Sequence, residues 1–226
     1  MKLFLDTANL DEIREGLRWG VLRGITTNPS LIAKEDQDFL PLVKEICSIV
    51  EGDVSVETSG DDTENLIRQA RDIAQIADNA VVKIPMSANG LGAVRKVSDE
   101  GIKVNVTLCF TASQAILAAE AGAYIVSPFI GRLDDISSDG LRALADICEI
   151  YAIQGYDTQV LAASLRHPIH VVEAARIGAD IATMPFKVFQ SLVKHPLTDA
   201  GFKTFTDDWE KAKPNLGELP PSMQEA

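Results

Sequence analysis

Two periodicities take turns along the chain. Short apolar runs rich in β-branched residues read as strands, and each is followed by a segment whose apolar positions recur every three to four residues, as in an amphipathic helix. Lys2-Leu3-Phe4-Leu5-Asp6 is the first run, and Asn9 with Glu12 three residues later forms a capping box that opens a helix to about Trp19. Gly24-Ile25-Thr26 is the second strand, running into Thr27-Asn28-Pro29-Ser30. A residue before proline avoids the helical region, so Asn28-Pro29 marks a loop. Helical spacing follows over residues 38–50, then strict alternation over Asp53–Glu57. Asp62 or Thr63 starts a helix to about Ala77, with Leu66, Ile67, Ala70, Ile73, Ala74 and Ala77 on one side. Ala80-Val81-Val82-Lys83-Ile84-Pro85 comes fourth, too short for a helix, and reads as a strand of a parallel sheet covered on both faces.

The second half repeats the scheme. A helix over about 89–99 leads to a strand at Ile102–Thr107, and Thr111 caps an alanine-rich helix to about Ala121, closed by Gly122. Tyr124–Ser127 is the sixth strand, followed by Pro128-Phe129-Ile130-Gly131-Arg132 and a long helix over about 135–152. Gln159–Ala163 is the seventh strand, ending in Ser164-Leu165-Arg166; a helix near 168–177 stops at Gly178; Ile181–Met184 is the eighth strand, with Pro185 and a short helix after it. Strict strand–helix alternation specifies a parallel sheet, and eight repeats is the number that closes into a (β/α)8 barrel. We expect one α/β domain over residues 1–212, including a C-terminal helix with an apolar face at Phe202, Phe205 and Trp209, and a mobile, proline-containing tail over 213–226. An open doubly wound sheet is the architectural alternative, but no glycine-rich dinucleotide fingerprint follows the first strand.

Composition narrows the function classes. With 226 residues, 46% hydrophobic and 24% charged, the chain suits one large globular domain. No apolar run reaches membrane-spanning length and the N-terminal residues lack a signal peptide's apolar core, so no membrane partner is expected. Cys47, Cys109 and Cys148 are odd in number and match no metal spacing; reduced, buried thiols are expected, which suits a cytoplasmic location. The net charge of −12 argues against nucleic acid. It leaves room for an anionic small molecule if cations gather locally. His167 and His170 share an i, i+3 spacing but have no cysteine or acidic partner at ligand spacing, so both are expected on the surface and no metal site is predicted.

Barrels of this kind work at the carboxyl ends of their strands. Those ends supply Asp6, Thr26 with Asn28, Glu57, Lys83, Thr107, Ser127 with Phe129 and Arg132, and Ser164 with Arg166. Any one of them has an ordinary explanation: a lysine snorkels, an aspartate caps a helix, loops are polar. Their coincidence on one rim is harder to explain so. A lysine among apolar neighbours loses hydration of its ammonium, which favours the free amine that attacks carbonyls. Two carboxylates can move protons, and two arginines can grip a phosphate by fork geometry. These residues point to a Schiff-base lyase or transferase acting on a sugar phosphate. The alternative from another class is a barrel that isomerises or only binds a phosphorylated metabolite, with Lys83 as an electrostatic group.

Five stretches carry a resemblance: Leu5-Asp6-Thr7-Ala8, Gly24-Ile25-Thr26-Thr27-Asn28-Pro29-Ser30, Val82-Lys83-Ile84-Pro85, Ser127-Pro128-Phe129-Ile130-Gly131-Arg132 and Leu161-Ala162-Ala163-Ser164-Leu165-Arg166. In this order they resemble the short transaldolases, grouped with the fructose-6-phosphate aldolases, over about residues 1–212. The resemblance implies a barrel with Lys83 as the Schiff-base lysine, Asp6 as the acid/base of carbon–carbon cleavage, and Glu57 with Thr107 handling the catalytic water. Asn28 and Ser127, with Thr26 and Phe129 beside them, would hold the dihydroxyacetone part, and Arg132, Ser164 and Arg166 the phosphate. It implies no metal or organic cofactor, and a homo-oligomer, pentamer or decamer, with the C-terminal helix packed on a neighbour. Aldolase-type members carry glutamine and tyrosine where this chain has Glu57 and Phe129. Glutamate and phenylalanine are similar to the transaldolase arrangement, in which the enamine waits for an acceptor aldehyde. The implied reaction transfers dihydroxyacetone from sedoheptulose 7-phosphate to glyceraldehyde 3-phosphate, giving erythrose 4-phosphate and fructose 6-phosphate; release of free dihydroxyacetone is the alternative.

Overall fold

A computed structural model describes residues 1–224. The strands are β1 (Lys2–Asp6), β2 (Leu22–Thr26), β3 (Asp53–Glu57), β4 (Ala80–Pro85), β5 (Val104–Cys109), β6 (Ile125–Pro128), β7 (Gln159–Ala162) and β8 (Ile181–Met184). All pair in parallel in sequence order, and β1 pairs with β8 as well as with β2, so the sheet closes into a barrel. Closure disposes of the open-sheet alternative and leaves no free edge. The helices are α1 (Leu10–Arg18), α2 (Pro29–Ile32), α3 (Phe39–Ile49), α4 (Thr63–Ala74), α5 (Ala88–Ser98), α6 (Ala112–Glu120), α7 (Ile130–Asp134), α8 (Gly140–Gln154), α9 (Pro168–Ile177), α10 (Phe186–Ser191), α11 (Pro196–Ala212) and α12 (Pro221–Gln224).

Residues Met1–Phe189 form one compact unit and the chain from Gln190 a second. In the second, α11 buries none of its residues, and Leu197, Phe202 and Phe205 are largely exposed. A 3-10 turn at Lys213–Asn215 and α12 follow; residues 225 and 226 of the expected tail lie outside the described residues.

Alternation of side chains along each strand sorts the barrel into two layers of packing. One set, including Leu5, Ile25, Val54, Val56, Val82, Ile84, Val106 and Val126, is buried against the surrounding helices. The other set points into the barrel. Its lower part is an apolar cluster of Phe4, Ile125, Leu161 and Ile181, and its upper part is polar: Asp6, Thr26, Glu57, Lys83, Thr107, Ser127 and Thr183. Phe4 can reach so far inward because Gly24 lies opposite it on β2; a Cβ there would fall on the Phe4 ring and on the Asp53 carbonyl.

Several boundaries differ from the sequence expectation, each for a local reason. β5 starts at Val104 rather than at Ile102, because the Ile102 N–H is used to close α5, donating to the Val97 carbonyl. The helix expected from residue 135 begins at Gly140 instead: Ser137 takes a left-handed φ of 59°, and Asp139 caps the new start through the Arg142 N–H. The loops after β2 and β6 each hold a turn of helix, α2 and α7. Asn28 caps the former through the Leu31 N–H, and the latter starts where the Ile130 and Gly131 N–H groups donate to the carbonyls of Ala163 and Ser164.

Gly24→Ala should lower stability by about 1–3 kcal/mol, the usual cost of overpacking a filled core. Chemical denaturation of the two proteins measures it; equal midpoints would mean that Phe4 has room to yield.

Candidate active site

The polar end of the barrel opens into a cavity of about 500 Å³. All eleven residues singled out in the sequence line it: Asp6, Thr26, Asn28, Glu57, Lys83, Thr107, Ser127, Phe129, Arg132, Ser164 and Arg166. Three cations face two carboxylates there, against an overall charge of −12. Cationic charge is therefore concentrated where an anionic ligand would enter.

Lys83 is 5% exposed and lies beside Glu57 because β3 and β4 are in register at these two residues. Its Nζ is 3.0 Å from Glu57 Oε2 and donates to the Thr27 carbonyl at 3.0 Å. Burying an ammonium or a carboxylate alone is costly, and each offsets part of that cost for the other. The backbone of Lys83 is fixed too, its carbonyl accepting from the N–H and hydroxyl of Thr58. A primary amine, a carboxylate in contact with it and an open face form the minimum set for carbonyl addition with local proton transfer.

Asp6 faces the same cavity from β1. Thr26 donates to its Oδ1 at 2.7 Å, and Thr26 is in turn 2.7 Å from the Thr183 hydroxyl. If Thr26 spends its proton on Asp6, its oxygen is the acceptor for Thr183, so the chain runs Thr183 to Thr26 to Asp6. Burial pushes the Asp6 carboxyl above the ordinary carboxylate range, opposed by Lys83, the Thr26 hydrogen bond and Arg132. A carboxylate raised in this way holds and returns a proton more readily near neutral pH. Thr107, which lines the cavity, contributes a buried hydroxyl with no hydrogen-bond partner among the described residues. A buried polar atom of this kind calls for a water or a substrate hydroxyl.

Three residues that the strand-end survey missed shape the site. Asn105, the register neighbour of Lys83 on β5, is fully buried. It accepts from Ser127 at 2.6 Å and donates to Ser55 at 3.1 Å, so the hydroxyl expected to hold substrate is itself held. Thr183 on β8 lies one residue before the apolar strand end Met184 and so is not visible among the strand ends. His170, expected on the surface, is 6% exposed. Its ring packs on His167 with centroids 3.9 Å apart, its Nδ1 accepts from the Arg166 N–H, and its Nε2 is 3.1 Å from Asp134 Oδ2. The partner that sequence spacing could not reveal is Asp134, which lies on α7, more than thirty residues away. Burial and the neighbouring His167 hold the His170 imidazole below its usual range.

The end of the cavity that carries the two arginines is built by α7 and the loop after β7. The Arg132 guanidinium lies 4.9 Å from the centre of the Phe129 ring, a cation–π contact that aims it. Ser164 has a left-handed φ of 59°, and a Cβ on Gly131 would fall on the Ser164 carbonyl and on the Arg166 side chain. Glycine at 131 therefore lets the two arginine-bearing segments meet. Leu108, also lining the cavity, has a φ of 56°. Such non-glycine conformations cost about 1–3 kcal/mol each and gather at functional sites.

Among the described residues, no cluster of histidine, cysteine, aspartate and glutamate could hold a metal ion, and no helix is long and apolar enough to cross a membrane. The three cysteines are unpaired, and burial raises each thiol to about 11.

Fold and site together define a (β/α)8 barrel with a cavity at the carboxyl ends of its strands, lined by a buried amine, two carboxylates and two arginines. The chain belongs to the transaldolase/fructose-6-phosphate aldolase family, whose model matches residues 3–217. It is 60% identical over 212 residues to a probable transaldolase of Thermoanaerobacter sp. (strain X514), covering 94% of this chain and 98% of that protein. It is 54% identical over 217 residues to a probable transaldolase of Kosmotoga olearia, covering 96% and 100%. A protein named probable transaldolase 1 in Listeria monocytogenes is 55% identical, with 94% and 100% covered.

The raised Asp6 carboxyl has a sign that can be measured. Unfolded, Asp6 loses its proton near the ordinary value of about 3.9; folded, it does so at higher pH. Between the two, the native state binds more protons, so the Asp6 contribution to stability falls as pH rises. Asp6→Asn should therefore gain stability relative to the parent as pH rises from about 4 toward 7. Thermal unfolding of both proteins across that range is the check, and a pH-independent difference would contradict the assignment.

Proposed function

We propose that this protein transfers a dihydroxyacetone unit between sugar phosphates through a Schiff base on Lys83. The observation that carries the proposal is the buried Lys83 amine in contact with Glu57, on the wall of a cavity that also holds Asp6 and two arginines. Glu57 takes the proton that Lys83 must shed before its nitrogen attacks the ketose carbonyl. Thr107, with its unpartnered hydroxyl, and Glu57 manage the water lost as the carbinolamine becomes an iminium. Asp6 then removes the proton from the hydroxyl on the far side of the bond to be broken. The electrons of that carbon–carbon bond flow into the iminium, an aldose phosphate leaves, and an enamine stays on Lys83. An acceptor aldehyde reverses the steps: the enamine carbon attacks it, Asp6 returns the proton to the new alkoxide, and water frees the product ketose.

Phe129 and Glu57 support transfer over release. Phe129 has no hydroxyl with which to orient a water that protonates the enamine carbon, and its ring is engaged by Arg132 and by Phe110, the two phenylalanine ring centres being 5.7 Å apart. The names of the relatives support the same reading. Arg132 and Arg166 suit the phosphate of both donor and acceptor, and sedoheptulose 7-phosphate and fructose 6-phosphate suit the donor role. The exposed apolar side chains of α11 support assembly into a homo-oligomer.

The test is release of glyceraldehyde 3-phosphate from fructose 6-phosphate, with and without erythrose 4-phosphate. Transfer predicts release that depends on the acceptor; equal release without it would show an aldolase and overturn the proposal. Phe129→Tyr should raise the production of free dihydroxyacetone, measured directly. No rise would remove Phe129 from the account of why the enamine waits.

A further inference from the structure

His170 lines no part of the cavity, yet it is a buried titratable side chain whose two nitrogens are both engaged. Its Nδ1 accepts from the backbone N–H of Arg166 at 3.3 Å, which leaves the proton on Nε2, 3.1 Å from Asp134 Oδ2. The other oxygen of Asp134 accepts from the Gly140 N–H at 3.1 Å, tying α7 to the start of α8. Asp134 ends the short helix that carries Arg132, and Arg166 leads into the helix that carries His170. A single neutral imidazole thus bridges the two segments that bear the cavity's two arginines. The Gly131 N–H bond to the Ser164 carbonyl supports the same junction from the cavity side. Outside it, the Arg166 guanidinium is held at 2.7 Å by Asp135 Oδ2, one residue beyond Asp134.

From this arrangement we propose that His170, with Asp134, is a positioning residue for the phosphate-binding arginines. It sets the spacing between Arg132 and Arg166 by bridging α7 to the Arg166 backbone, and so acts on phosphorylated substrates in particular. The physical need is plain. Two guanidinium groups grip one phosphate only when their separation is fixed, and mutual repulsion pushes them apart in the empty site. A short helix and a loop with a strained Ser164 do not fix that separation unaided. The inference rests on the phosphate role proposed above for the two arginines.

The experiment is internal competition between erythrose 4-phosphate and unphosphorylated erythrose for the same dihydroxyacetone-loaded enzyme. The product ratio reports relative kcat/KM for the two acceptors and cancels losses common to both. His170→Phe keeps a ring but removes both bonds, and the preference for the phosphorylated acceptor should fall about fivefold or more, the scale of one lost buried hydrogen bond. His170→Asn keeps an acceptor near the Nδ1 position and should recover part of the preference. Asp134→Asn, which leaves the imidazole in place, should lower it as well and serves if the phenylalanine variant does not fold. The competitive inhibition constant of inorganic phosphate should rise in the same order. An unchanged ratio and an unchanged phosphate constant would overturn the inference. Arg166→Leu distinguishes the two levels. If it abolishes the preference while the His170 and Asp134 variants do not move it, only the positioning role falls. If Arg166→Leu and Arg132→Leu also leave the preference intact, the phosphate site itself is misassigned and the inference falls with it.

Discussion

The structure is organised around one buried ion pair. Placing an amine inside a barrel, 3.0 Å from a carboxylate, takes two charges out of water and demands compensation nearby. The Thr27 carbonyl accepts a hydrogen bond from the amine, and parallel register of β3 and β4 sets Glu57 beside Lys83. Adjacent strands share the requirement. Asn105 flanks Lys83 on the other side and binds Ser55 and Ser127, so the polar side chains of this layer satisfy one another around the barrel. A buried network of this kind is stable only when its members are paired. The unpartnered Thr107 hydroxyl therefore stands out as a place for something other than protein.

Below that layer the barrel is closed by apolar side chains, with Phe4 reaching across Gly24. The apolar floor gives the site its low-dielectric base, which strengthens every charge interaction above it and raises the Asp6 carboxyl. The upper wall is of another kind. It consists of short helical turns and two left-handed residues, Leu108 near the end of β5 and Ser164 in the loop after β7, with α7 joined to that loop by backbone hydrogen bonds. Strands thus hold the groups proposed for bond making, while a short helix and a loop hold the groups proposed for phosphate.

This division also governs what was legible in the sequence. Strand residues were readable because a six-residue β-branched run ending in proline has few alternatives, and the strand ends then fall on one rim by closure alone. Asp6, Glu57, Lys83 and Thr107 were found that way, and so was the barrel. The short helices α2 and α7 were not: α2 is a single turn capped locally by Asn28 inside a stretch that reads as a loop, and α7 starts on a contact distant in sequence, the Ile130 N–H meeting the Ala163 carbonyl. His170 was misjudged for the same reason as α7. Its partner Asp134 lies across a helix and a strand, and no local periodicity announces that meeting. Asn105 and Thr183 sit one or two positions before a strand end, where a survey restricted to strand ends does not look.

The central claim is that the buried amine of Lys83 becomes covalently attached to the ketose. The most direct measurement is borohydride reduction in the presence of fructose 6-phosphate, followed by mass mapping of the modified peptide. The account predicts one stable adduct, on Lys83, that forms only when ketose and reductant are both present. Unmodified Lys83 under saturating ketose, or an adduct on a different lysine, would contradict it.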